Sequence, residues 1–186
     1  AELVRSTVER AAGHVRTFKS VVLEQTSDGL RVIDLRAFVD NLLSSLTPML
    51  RNLRLVIGMV PATPTPVSVC CNPGRVAQVV TNLLENAGVH GYAQQGGTLE
   101  IEIASTPEHI LLRVSDRGQG MSAAVAEHCM EPFFTSRRNQ GGTGLGLFIV
   151  RQVVQDELGG QVNLETAEGQ GTTWRLQFPL PPQAPA

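Results

Sequence analysis

Two asparagines one helical turn apart, Asn82 and Asn86, interrupt a stretch otherwise patterned for burial, "NLLENAGVHG". At about 100° per residue, Val76, Val79, Val80, Leu83, Leu84 and Ala87 fall in one arc that has to face a sheet. Both carboxamides lie at the edge of that arc, and Glu85 points to solvent. Asparagine is a poor helix former because its side chain competes for nearby backbone groups. The pair therefore either caps local backbone or rims a pocket. In a pocket, a neutral carboxamide oxygen can ligate a magnesium ion whose other positions are filled by phosphate oxygens and water.

Three more clusters carry chemistry of a compatible kind. Asp116, Gly118 and Gly120 in "SDRGQGMS" follow directly on a strand pattern. Alternate glycines let backbone approach a flat ligand closely, and a carboxylate there can accept a hydrogen bond from an exocyclic amine such as that of adenine. A plain Asp-Arg-Gly turn is the structural alternative. "GGTGLGLFIV" places Gly141, Gly142, Gly144 and Gly146 at the entrance to a helix, although each glycine in a helix costs about 0.5–1 kcal/mol relative to alanine. The first amides of a helix lack partners and its N-terminus is partially positive. Without Cβ atoms, phosphate oxygens can sit directly on those amides. Tight helix–sheet packing would also explain the run, which is neither a G-x-x-x-x-G-K-[ST] loop nor a G-x-G-x-x-G following a strand. Finally, "EPFFTSRR" sets Phe133 and Phe134 beside Arg137 and Arg138. Adjacent phenylalanines in an aromatic-poor chain suggest an anchor for a mobile flap whose arginines reach phosphate. An ordinary loop with solvated arginines is the bland account.

These clusters need elements to hold them. Asp34 caps a helix bearing Leu35, Phe38, Val39, Leu42, Leu43 and Leu46, which Pro48 kinks or shortens. Two strands, "LRLVIGMV" and "VSVCCN", flank the proline-rich residues 61–66. Asn72 and Pro73 then open the asparagine-bearing helix, which stops at Gly91. "TLEIEIAS" and "HILLRVSD" form a hairpin, residues 116–143 are loop-rich, and "GQVNLETAEGQGTTWRLQFPL" forms a second hairpin. The order fits an α+β two-layer sandwich: a mixed sheet of about five strands on about three helices, plus an N-terminal helix. In that first helix Val4, Val8, Ala11, Val15, Phe18 and Val22 follow heptad spacing. They form either a short coiled-coil seam, giving a homodimer through residues 4–22, or one face of a single docked helix.

Composition sets outer bounds. The 186 residues are 42% hydrophobic and 17% charged, with a net charge of −2, which gives no reason to expect nucleic acid or an anionic membrane as partner. No apolar run approaches the roughly 20 residues needed to span a bilayer. The first twenty residues carry charges throughout, so no signal peptide is expected. Cys70, Cys71 and Cys129 suit neither a metal site nor a disulfide, and the expected location is cytoplasmic.

In this order the clusters resemble the ATP-binding catalytic domain of sensor histidine kinases, a family shared with gyrase, heat-shock protein 90 and mismatch-repair ATPases. The resemblance covers residues from about 34 to 180. It rests on "NLLENA" (82–87), "DRGQG" (116–120), "EPFFTSR" (131–137) and "GTGLGL" (142–147). It implies ATP and magnesium as ligands, with Asn86 on the metal and Asn82 supporting it. Asp116 would recognise adenine, and Gly118, Gly120 and Met121 would shape the pocket. Thr143, Gly144, Leu145, Gly146 and Leu147 would bind phosphates, Thr172 would lie on the base side, and His90 would either lie near the nucleotide or serve only as a C-terminal imidazole favoured by the helix dipole. Arg137 stands where the family carries a catalytic cation near the γ-phosphate. With Asn82 where the gyrase branch has glutamate, transfer is favoured over hydrolysis.

Val89 departs from the basic residue many relatives have, which leaves a non-catalytic nucleotide-responsive module as the alternative. The "FFT" box argues against a serine-directed kinase of the anti-sigma-factor type. His14, His90, His109 and His128 lack the phosphoacceptor context. The resemblance thus implies residues 1–28 as the end of the dimerisation hairpin, 29–180 as the catalytic domain and 181–186 as a proline-rich tail. The implied partners are a dimerisation/phosphoacceptor domain of the same protein and a response regulator. The full-length protein would be anchored to a membrane, if at all, through other regions.

Overall fold

The computed structural model describes residues 29–60, 66–136 and 142–180. The heptad at 4–22 with the whole of 1–28, Arg137, Arg138, Gly141 and the tail 181–186 lie outside the described residues.

Strand β1 (Arg31–Asp34) leads into helix α1 (Leu35–Ser45). Asp34 caps that helix as expected, with Oδ1 accepting from the amides of Arg36 at 2.9 Å and Ala37 at 3.2 Å. Pro48 lies in the first turn of a second short helix, α2 (Thr47–Asn52), so the chain restarts rather than kinks. Strands β2 (Leu55–Met59) and β3 (Ser68–Cys71) follow. Helix α3 (Pro73–Asn86) begins with Asn72 Oδ1 accepting from Gly74 at 2.9 Å, and ends in a π-helical turn, Ala87–Gly91. Strands β4 (Gly97–Ser105) and β5 (His109–Asp116) form the first hairpin. A six-residue helix, α4 (Ala123–His128), stands within the loop-rich stretch. Helix α5 (Gly146–Gln152) continues into a second π turn, Val153–Glu157. Strands β6 (Gln161–Thr166) and β7 (Thr172–Pro179) complete the chain.

The main sheet has five strands in the order β2-β4-β5-β7-β6. Only β2 and β4 run parallel; the other pairs are antiparallel. Joining parallel neighbours requires a long return across one face. Helix α3 lies within that return, so the asparagine pair is carried by the crossover. One sheet face is apolar and covered: Leu99, Ile101, Ile110, Leu112 and Leu176 are fully buried against the helices. Its other face is polar, with Arg113 Nε 2.6 Å from Glu102 Oε2 and Ser115 Oγ 2.9 Å from Thr173 Oγ1. The expected arc on α3 is buried to the last residue, each Leu or Val contributing about 1.5–3 kcal/mol. Glu85 is half-buried rather than solvent-facing, because α1 and α5 both flank α3.

One expectation needs correcting. β3 is not part of the main sheet but pairs antiparallel with β1 in a separate two-stranded sheet, Arg31 opposite Cys71 through Asp34 opposite Ser68. β1 has only four residues, and two of them, Arg31 and Asp34, are charged, too short a run for alternation to be read.

Candidate functional site

Asn82 and Asn86 are both half-buried on α3, which packs against α5. Asn82 Oδ1 lies 3.8 Å from where a Cβ on Gly146 would stand, so the missing side chain keeps space between carboxamide and helix entrance. Asn82 Nδ2 is buried with no hydrogen-bond partner among the described residues. An orphaned buried donor costs about 1–3 kcal/mol, and its natural complement is an acceptor from outside the protein. The N-cap residue of α5, Leu145, offers no side-chain acceptor to the first turn. Thr143 is exposed and its Oγ1 accepts from the Leu145 amide at 3.3 Å. Gly144 has φ +68°, and a Cβ there would stand 2.5–2.8 Å from the backbone of Phe133. Leu147 packs against the core.

Around Asp116 the geometry is tighter. This carboxylate ends β5 opposite Thr172 and is 7% exposed. Burial pushes its pKa above the ordinary carboxylate value, while backbone N–H groups of Gly118 and Thr172 pull the other way. The Gly118 amide donates to Oδ1 at 2.8 Å. Gly91, at the end of the π turn, has no side chain to fill the space 3.2 Å from Oδ1. Gly118 lies against the Gly91 carbonyl, and Gly120, with φ +64°, lies against the Ala167 carbonyl. These two glycines are therefore already required by protein backbone, whatever ligand the turn approaches. Thr172 is buried, its Oγ1 3.2 Å from Thr166 Oγ1; the same Thr166 hydroxyl accepts from the Met121 amide at 3.0 Å.

Three supporting residues escaped the sequence reading. The Tyr92 hydroxyl donates to the Thr98 carbonyl at 2.6 Å and accepts from the Arg117 amide at 2.9 Å, bracing the glycine turn against β4. Thr166 joins the two ends of the β6–β7 turn by donating to the Gly171 carbonyl at 2.9 Å. Gln119 donates from Nε2 to the His90 carbonyl at 2.9 Å and from its amide to the Gly91 carbonyl at 2.8 Å. Tyr92, the chain's single tyrosine, was the one available signal. The His90 ring lies with Nδ1 3.4 Å from Ser136 Oγ.

The two phenylalanines differ. Phe134 packs against the core, 6.1 Å from the His128 ring, whereas Phe133 is 62% exposed with φ +64°. Of the two, Phe134 is the one that packs on the core. His128 also pairs with Glu131 at 2.9 Å, which holds the imidazole pKa above its usual value. All three cysteines are free, and burial raises the Cys71 and Cys129 thiols to about 11. No group of three or more His, Cys, Asp or Glu among the described residues could hold a metal alone.

Residues 71–182 match the family model described as histidine kinase-, DNA gyrase B- and HSP90-like ATPase. Among curated proteins, sensor histidine kinase ZraS of Salmonella typhimurium is 32% identical over 110 residues, 59% of this chain and 23% of its own length. Sporulation kinase E of Bacillus subtilis is 29% identical over 132 residues, 70% of this chain and 17% of its own. The chain spans between 16% and 33% of the length of the curated relatives it matches. Among solved structures, the mycobacterial sensor histidine kinase MprB superposes with a TM-score of 0.67 at 26% identity, covering 83% of this chain and 99% of that one. The catalytic domain of histidine kinase ThkA gives 0.69 at 24%, covering 82% and 99%.

Proposed function

Because the chain belongs to the histidine kinase-, DNA gyrase B- and HSP90-like ATPases, whose model matches more than half of it, we propose that its site binds Mg-ATP and supplies the γ-phosphate to a histidine on a dimerisation/phosphoacceptor domain. The observation that carries this reading is the Asn82 carboxamide, whose Nδ2 is buried with no hydrogen-bond partner among the described residues and whose Oδ1 lies beside the helix start left open by Gly146. A phosphate oxygen satisfies both. Asp116 accepts from the exocyclic amine of adenine, with Thr172 on the base side and Met121 beside it. The amides of residues 143–147 would hold phosphate oxygens, and Asn86 would lend its carbonyl oxygen to the ion. Bound there, magnesium would neutralise phosphate charge. Arg137 would add a cation on the transferred group. In the transfer, an imidazole nitrogen forms a bond to phosphorus as the bond to the ADP oxygen breaks. Asn82 is a carboxamide and cannot take a proton from water at neutral pH, which disfavours hydrolysis.

The support is the geometry together with relatives that are sensor kinases; nothing favours a non-catalytic module. A response regulator is the proposed downstream partner, in line with the solved complex of histidine kinase ThkA with the response regulator TrrA. We place the domain on the cytoplasmic side. No helix of the described residues is long and apolar enough to cross a membrane.

Calorimetry with magnesium and a non-hydrolysable ATP analogue, followed by radiolabel transfer to a supplied phosphoacceptor domain, tests the proposal. Binding with transfer, both lost in Asn86→Ala, is expected. Absence of nucleotide binding by the unmodified chain would overturn it.

A further inference from the structure

Gln119 sits where three separate segments meet. Its side chain donates to the His90 carbonyl at 2.9 Å, its amide donates to the Gly91 carbonyl at 2.8 Å, and its own carbonyl accepts from the Gly169 amide at 2.7 Å. The first two partners belong to the π turn that ends α3, the third to the turn between β6 and β7. These are the walls around Asp116: Gly91 approaches the carboxylate from one side, and Gly171 abuts its backbone from the other. A π turn leaves carbonyls out of the regular i→i−4 ladder, and here two consecutive ones are taken up by one residue of the glycine turn. Gln119 is nevertheless exposed. An exposed glutamine whose side chain reaches back to a backbone carbonyl gains little in stability, because water would satisfy both groups. What it adds is position. The Tyr92 hydroxyl holds Arg117 two residues earlier, so the turn is pinned on both sides of Gly118, whose amide donates to Asp116 Oδ1 alongside the backbone bond from Thr172.

We infer that Gln119 is a positioning residue for base selection: by locking the π turn to the glycine turn, it fixes the Asp116 carboxylate at the orientation in which it accepts from an exocyclic amine. This rests on the Mg-ATP reading above and goes further, since it assigns discrimination between an amino-purine and an oxo-purine to a side chain that does not touch the nucleotide. The oxo-purine guanine presents a carbonyl oxygen where adenine presents its amine, and a carboxylate held in place repels it. A carboxylate free to turn discriminates less.

The test measures dissociation constants of ADP and GDP, with magnesium, for the unmodified chain and for Gln119→Met and Gln119→Lys. Methionine keeps length and removes the donor; lysine keeps a donor able to reach the His90 carbonyl. For Gln119→Met, ADP binding should weaken about threefold to tenfold, the scale of one hydrogen bond. GDP binding should change less, so the ADP/GDP preference narrows, with the melting temperature nearly unchanged. Gln119→Lys should restore the preference. Equal weakening of both nucleotides, or an unchanged ratio in Gln119→Met, would overturn the inference while leaving nucleotide binding intact. Failure of the unmodified chain to bind ADP at all would instead remove the reading on which it stands.

Discussion

Asn82 keeps a buried donor without an acceptor, and folding alone would favour an apolar side chain of similar shape there. Asn82→Leu removes the orphan, and the stability of the ligand-free chain should hold or rise by about 1 kcal/mol, raising the melting temperature by about 2–4 °C. Its affinity for Mg-ATP should fall. A destabilised variant would mean that Asn82 is satisfied within the fold. Asp116 makes a second residue-level prediction through pH. Its folded-state pKa is raised, chiefly by burial, so between 3.8 and the raised value the native state holds a proton that the unfolded chain has lost. Stability from this group therefore falls as pH rises through that window and is level above it. Adenine recognition runs oppositely, because the carboxylate has to be ionised to accept well. ADP affinity should be full at neutral pH and should decline on acidification before an ordinary aspartate would titrate. Calorimetric titrations at stepped pH, with Asp116→Asn as the reference lacking that step, check this.

At the scale of elements, the glycines at the start of α5 divide by what each one faces. Gly144 has φ +68° and lies against the Phe133 backbone, so Gly144→Ala strains the chain whatever is bound. Gly146 faces only the Asn82 carboxamide, at 3.8–3.9 Å, and has no positive φ. Gly146→Ala should leave folding unchanged or improved by up to about 1 kcal/mol, the helix preference of alanine. It should still weaken ATP binding, by crowding the space beside Asn82. Thermal melts of the two variants, with affinities for each, separate a structural glycine from a binding one. The sequence made the α3 arc, both hairpins and the helix caps at Asp34 and Asn72 readable, because burial and capping leave a period or a fixed residue type. It hid the β1–β3 ribbon, whose four residues are too few for alternation to emerge. It also hid both π turns, because a one-residue change in helical winding alters no residue preference strongly. Phe133 and Phe134 were indistinguishable as neighbours in sequence, and only the backbone, left-handed at Phe133, turns one outward and one inward. Gln119 and Tyr92 act through hydrogen bonds to backbone carbonyls and amides, contacts that any donor or acceptor of suitable length could make.

For the whole molecule, the question is how much of the chain the fold and its site require. The buried core runs from Leu35 to Phe178. It is closed at its N-terminal side by the Asp34 cap and by the Leu35 amide donating to the Val67 carbonyl at 2.8 Å. Leu30 and Val32, just before it, are 71% and 64% exposed, while Ile33 packs against the core and β1 pairs with β3, so a shortened chain that keeps the entry strand keeps these contacts. A chain beginning at Gly29 should therefore melt within about 2 °C of the full one and bind ADP equally well. Those two measurements also bear on residues 4–22, for which heptad spacing allows a dimer seam or a helix docked on its own domain. A seam makes the full chain dimeric in light scattering and the shortened one monomeric, with melting temperature and affinity unaffected, because the seam would join two complete domains without supporting either. A docked helix leaves both chains monomeric and lowers the melting temperature on removal, since apolar side chains at Val15, Phe18 and Val22 would lose a covered surface worth several kcal/mol in total. A lowered melting temperature in the shortened chain would refute the seam, and a full chain that is dimeric in light scattering would refute the docked helix.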